Sequence, residues 1–300
     1  MFPLGPMRLR PVQRVILIIV SCPSATLVVW TSAWLNGAAA ADDVLDALQS
    51  WAESHEVVAH DEATAELLDL PTEHQQPVSP ALLLAALRKI GVTAGELALP
   101  VAGDLRGLRG HAPFAAAALQ AGEAAVLSTW DGSSGDNGDF GIVPEWRGPA
   151  GAKSDPADRV VRWTVFRLPT APAGERTPLG EAEHGLSGAM RAAATALIEL
   201  GVAKHRPGVR EEIASLVAAV PDLEWPPGMP PRSLKVLARA AEVDAILTVA
   251  MTDAPGGALS ASASRGRAEA LRPLHHAVRD ARRAAVDEAV RTFSDHADKL

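Results

Sequence analysis

The stretch Gly103-Asp104-Leu105-Arg106-Gly107-Leu108-Arg109-Gly110 is the first place where residue types and spacing could do chemistry. It follows a predicted strand and precedes a predicted helix, a setting in which backbone N–H groups can hold an anion. Arg106 and Arg109 would supply charge, and Asp104 would orient one of them or bind a metal. The stretch has no Gly-Lys-Ser/Thr, so it is not a nucleotide P-loop, and its glycine spacing is not the dinucleotide fingerprint. The competing reading is an ordinary strand-to-helix turn, in which Gly103, Gly107 and Gly110 serve backbone geometry alone.

A second pattern lies near the C-terminus. Arg265, Arg272 and Arg279 recur every seven residues, with Arg267, Arg282, Arg283, His275 and His276 nearby. They form a basic stripe beside the apolar row Leu271, Leu274, Val278, Ala281 and Ala285. Such a stripe, Arg265, Arg272, Arg279 and Arg283 above all, could contact an acidic partner or nucleic acid. Without interleaved aromatics to stack on bases, the plainer reading is a solvated face or one paired with the protein's own carboxylates.

Other chemistry is weaker. Asp131, Ser133, Asp136, Asn137 and Asp139 suggest a calcium loop, but the acidic ligand such a loop needs twelve residues in is Ile142 here. Asp139-Phe140-Gly141 lacks the other kinase signatures, and no Gly-x-Ser-x-Gly elbow occurs. His275 and His276 are adjacent and would point about 100° apart on a helix. The single cysteine, Cys22, excludes an internal disulfide and a cysteine-based zinc site. No catalytic residue, metal site or cofactor is assigned.

The chain has 300 residues, 48% of them hydrophobic and 21% charged, with a formal net charge of -8. That is globular composition, enough for about two domains. Net acidity disfavours nucleic acid and anionic membranes as partners.

The elements that must position these residues read as α/β. Residues 1–13 form a flexible tail. Residues 14–169 form an α/β domain with a small mixed or parallel sheet, 170–178 a Pro/Gly-rich linker, and 179–300 a mostly helical domain. Residues 15–20 read as a buried strand. Ser24 would cap a helix running to about Asn36, whose one apolar face is Leu27, Trp30, Ala33 and Trp34, with Gly37 at its end. Strands are expected at 55–59, 97–101, 124–127, 141–144 and 160–168, the last as an edge or final strand. Ser79-Pro80 starts a helix that Gly91 ends, and 114–121 is a helix closed by Gly122. The helix at 179–200 should turn Leu186, Met190, Ala193, Leu197 and Leu200 inward, and the helix at 232–251 Leu234, Leu237, Ala241, Ala245 and Val249. A last helix runs from near 267 to 295 through Pro273. The basic, then uncharged N-terminus also fits export or lipid anchoring through Cys22.

The residues Leu97-Ala98-Leu99-Pro100-Val101, 103–108, 114–123 and Gly141-Ile142-Val143-Pro144 resemble a family of uncharacterised actinobacterial proteins. The resemblance implies no catalytic residue and favours the cytoplasmic reading. Three functions stay open: a non-catalytic binding or regulatory protein of the cytosol with a protein partner, an enzyme or sensor taking a small anionic or phosphorylated ligand at 103–110, and an exported or lipid-anchored protein. Oligomeric state is not specified.

Overall fold

The computed structural model describes residues 22–129, 138–148, 159–170, 174, 176–200, 208–218, 223–252 and 261–297. The expected tail at 1–13 and strand at 15–20 lie outside them, as does most of 131–139.

Five strands form one mixed sheet in the order β1-β5-β4-β3-β2. They are β1 (Ser54–Ala59), β2 (Val92–Ala98), β3 (Ala124–Thr129), β4 (Asp139–Arg147) and β5 (Val160–Leu168). β2 to β5 make an antiparallel meander, and β1 lies parallel to β5. Two expectations change. β5 is last in sequence but sits inside the sheet, because the return of the meander brings it against β1. β2 begins at Val92 rather than Leu97, and Leu99–Val101 has left the sheet; Gly95 and Glu96 mask the strand pattern, yet both are buried there.

The period of two sorts the strands' side chains between two faces. On one face Leu97, Leu127, Ile142 and Trp163 meet helix α1 (Pro23–Leu35) in the main core. On the other, Ala124, Val126, Val143 and Phe166 meet Phe114 and Ala118 of helix α5 (Ala112–Ala121). Phe114 packs so closely over β4 that a Cβ on Gly141 would fall 2.4 Å from its ring.

α1 differs from the one-faced helix expected. Every residue from Pro23 to Trp34 is buried, including Ser24, Thr26, Thr31 and Ser32. A helix apolar on all sides belongs inside a protein rather than on it. Some of its polar groups are answered by distant residues: the Trp51 indole donates to Thr26 Oγ1 at 2.9 Å, and the Trp30 indole to the Glu224 carbonyl at 3.1 Å, whereas the Thr31 hydroxyl is buried without a hydrogen-bond partner. Gly37 ends the helix with φ +78, as its position predicts. Ser24 is not the cap; it lies in the first turn, and its N–H donates to the Glu123 carboxylate at 2.8 Å.

Helices α2 (Ala41–Gln49), α3 (Glu62–Leu68) and α4 (Pro80–Lys89) complete the N-terminal half. The Asp43 carboxylate takes the Ala40 N–H at 2.8 Å at the head of α2, and Asp61 takes the Thr64 N–H at 2.8 Å at the head of α3. These are the side-chain caps that orphan helix N–H groups require.

The C-terminal half is helical: α6 (Leu179–Glu199), α7 (Val209–Ala218), α8 (Pro231–Thr252) and α9 (Ala261–Ala297). The 37 residues of α9 span roughly 55 Å, and two cores share them. Leu271, Leu274, Val278, Ala281 and Ala285 pack with α6 and α8, as the row predicts. Val286, Ala289, Val290 and Phe293 pack into the core of α1 and the sheet. The inward faces of the other two helices differ from expectation. Leu200 is exposed, and α6 buries Leu179, Ala182, Leu186 and Ala193. α8 buries Val236, Ala240 and Val243 beside Ala245 and Val249, while Leu234, Leu237 and Ala241 are half-buried. Packing against both neighbours at once rotates the face away from the one that leucine spacing suggests.

Among the described residues no helix is long and apolar enough to cross a membrane.

Candidate functional site

The two sequence patterns meet. Residues 103–110 lie against α9, and a seam of opposite charges joins them. Asp104 accepts from Arg106 Nε at 2.8 Å and from Arg279 Nη2 at 2.9 Å. Arg106 also reaches Asp280 at 2.9 Å. The hydrogen bonds from Arg106, then that from Arg279, hold the Asp104 carboxyl well below its usual range.

Deeper in the seam, Arg109 donates to Glu96 at 2.9 Å and lies 3.7 Å from Asp139. These three side chains are 6%, 8% and 3% exposed. Arg283 approaches Glu96 at 3.6 Å. Arg109 adopts φ +52, and Gly103, Gly107 and Gly110 adopt +86, +87 and +70. Left-handed backbone suits glycine and is costly for arginine. That cost is met by the buried ion pairs the conformation makes. Gly107 has a second reason: a Cβ there would press on Ala98 at 3.3 Å and Glu96 at 3.4 Å.

Further along α9, Arg282 pairs with Asp244 of α8 at 2.9 Å and acts on Glu123. Burial pushes Glu123 up to about 7, against the hydrogen bonds from Ser24 and Cys22. Burial, then the charge of Glu123, pushes the Cys22 thiol up, so it is no activated nucleophile. Burial likewise raises Asp287 to about 6, with the charge of Glu96 adding to it.

Placed residue by residue, the anion loop's Arg106 and Arg109 face carboxylates of the same chain. Of the basic stripe, Arg279 and Arg283 turn into the seam, while Arg265 and Arg272 are exposed. Asp139 belongs to the seam, and the rest of the calcium pattern lies outside the described residues. His275 is near Asp244, and its imidazolium is disfavoured by burial. Among the described residues no cluster of three or more His, Cys, Asp or Glu could hold a metal.

Glu96, Glu123 and Asp244 were not singled out in the sequence. The signal present was a lone carboxylate inside or beside an apolar run: Gly-Glu-Leu-Ala-Leu, Gly-Glu-Ala-Ala-Val and Val-Asp-Ala-Ile-Leu. Buried carboxylates require partners, and here α9 and the 103–110 turn provide them for Glu96 and Asp244, and the Ser24 N–H of α1 for Glu123. A concave site is also present on the α/β half: Asp61, His111, Gly138 and Arg167 are among the residues lining a cleft of about 500 Å³.

Comparison with known proteins gives relatives along almost the whole chain. The profile of the Rv1486c-like protein N-terminal domain matches residues 24–177, and that of its C-terminal domain residues 180–283. Uncharacterized protein Rv1486c of Mycobacterium tuberculosis is 39% identical over 288 residues, covering 88% of this chain and 96% of that protein. Uncharacterized protein ML1804 of Mycobacterium leprae is 35% identical over 290 residues, covering 89% and 96%. These names assign the relatives no activity. No solved structure matches the chain. The chain belongs to the Rv1486c-like family.

Proposed function

We propose that this is a non-catalytic binding or regulatory protein of the cytosol, in which the α/β half is a scaffold and the helical half presents a contact surface for another protein. The observation that carries this is a set of exposed apolar side chains at one end of the helices. Ile198 is 70% exposed and Met251 61%, with Leu200 and Ile246 beside them in sequence also exposed. Leu200 lies beside Gly266, and Arg267 donates to the Ala250 carbonyl at 3.2 Å. The ends of α6 and α8 and the start of α9 are thus together. α7 buries none of its residues although it carries Val209, Ile213, Leu216 and Val217. Scattered exposed apolar residues are ordinary, whereas a grouped set marks a contact surface.

Site-specific photo-crosslinking in cells tests it. A crosslinker at Met251 should capture one recurrent protein that a crosslinker at Glu145, on the sheet, does not. Ile198→Asp with Leu200→Asp should remove that adduct while leaving the unfolding midpoint unchanged. Identical crosslink patterns from both positions would overturn the reading. Recovery of the intact chain in the membrane fraction would overturn the cytosolic part.

A further inference from the structure

One side of α9 changes its surroundings along the helix. Arg265, Arg272 and Arg279 recur every seven residues, and Arg283 stands roughly five turns from Arg265. All four therefore point away from the buried row Leu271, Leu274 and Val278. Where the 103–110 turn and the sheet cover this side, carboxylates meet it: Asp104 takes Arg279 at 2.9 Å, and Glu96 faces Arg283 at 3.6 Å. At Arg265 and Arg272 the same side is open to solvent, and no ion pair joins either guanidinium to another described residue. These two are the part of the stripe that the protein's own carboxylates leave unanswered.

Glu269 stands between them, within one turn of each, and is exposed as well. The open side thus reads cation, anion, cation over about two turns. That alternation suits a protein surface that alternates in the opposite sense, because opposed charges fix register and like charges exclude wrong partners. It suits nucleic acid poorly. Glu269 repels phosphate, no Phe, Tyr or Trp stands among residues 265–276 to stack on a base, and the chain carries a net charge of -8. An apolar anchor is adjacent. Leu200 is 47% exposed and lies 3.6 Å from where a Cβ on Gly266 would fall, so the charged row begins at the grouped apolar side chains of the helix ends.

We propose that this side of α9 is the docking strip for an amphipathic helix of another protein. That helix sets two carboxylates about seven residues apart against Arg265 and Arg272, a basic side chain against Glu269 and an apolar side chain on Leu200. The strip continues, by about two turns, the carboxylate pairing that Asp104 and Glu96 make with Arg279 and Arg283. It rests on the reading of the helical end as a contact surface and names the chemistry of the partner.

The experiment places a photo-crosslinker in the full chain at Ala268, exposed between the two arginines, and compares it in cells with the crosslinker at Met251. Both positions should capture the same protein. Mass spectrometry of the Ala268 adduct should find a segment with two carboxylates about seven residues apart. Arg265→Glu with Arg272→Glu should lower the Ala268 adduct at least about tenfold, and lysine at the partner's two carboxylates should restore it. Arg265→Lys with Arg272→Lys should keep it. If the glutamate variant unfolds early, Arg265→Gln with Arg272→Gln carries the test. An adduct at Met251 with none at Ala268, an Ala268 adduct undiminished by charge reversal, a captured segment without the carboxylates, or a nuclease-sensitive adduct would each overturn the docking strip and leave the Met251 surface standing. No adduct at either position would overturn both.

Discussion

Arg279 of α9 donates to Asp104 of the 103–110 turn at 2.9 Å, across 175 positions of sequence. Through this bond the two charged patterns that stand out in the sequence engage each other. Both side chains are 14% exposed, so the pair is worth more than a surface ion pair and less than a fully dry one. Asp104→Asn should cost about 1–2 kcal/mol in urea unfolding, and a double-mutant cycle with Arg279→Leu should show positive coupling. Because the folded carboxyl lies below its ordinary value of 3.8, this contribution is complete above that value. It is lost as pH falls toward the folded one.

Glu123 and Asp287 give the opposite sign. Their folded values, about 7 and about 6, lie above the ordinary 4.5 and 3.8. The folded state binds the extra protons in these windows, so stability falls as pH rises through them. The full cost of ionised Glu123 is on the order of 3–4 kcal/mol. Urea midpoints should be higher near about pH 5.5 than near about pH 8. Glu123→Gln keeps an acceptor for the Ser24 N–H, and with Asp287→Asn it should flatten that dependence. An unflattened profile in both variants would place the titrating groups elsewhere.

Gly141→Ala would drive a Cβ into the Phe114 ring, whose atoms lie at 2.4–2.8 Å. Phe114 is fully buried and has nowhere to go. The expected loss is about 2–3 kcal/mol by denaturant unfolding, with Phe114→Leu partly relieving it in the double variant.

Gly185 on α6 gives the matching control. No atom lies within 4 Å of a Cβ placed there, and glycine is a poor residue in a helix interior. Gly185→Ala should raise stability by about 0.5–1 kcal/mol, read as a higher unfolding midpoint.

Local signals were legible in the sequence where one residue type determines one conformation. Ser79-Pro80 opens α4, Gly91 follows it with φ +77, and Gly122 closes α5 with φ +79. What depends on distant pairing was not. Nothing near Val160 says that β5 lies between β1 and β4. Nothing near Leu27 says that α9 will cover the side of α1 left open by the sheet. The seam was half legible: its arginines stood out as a stripe, but Glu96 and Glu123, each just before an expected strand, gave no sign of burial because their partners are remote. The cleft was less so, since Asp61, His111 and Arg167 are far apart in the chain and each has an ordinary structural role.

The burial of α1 on every side governs the order in which the molecule can be completed. Its neighbours come from the sheet and from α9, which the ribosome makes long after α1. During synthesis Leu27, Val28 and Val29 have no final shelter, so the N-terminal half cannot finish alone and stays exposed to aggregation until α9 docks. A chain stopped before residue 261 should therefore collect in the pellet or on chaperones, even though every strand of the sheet is present in it.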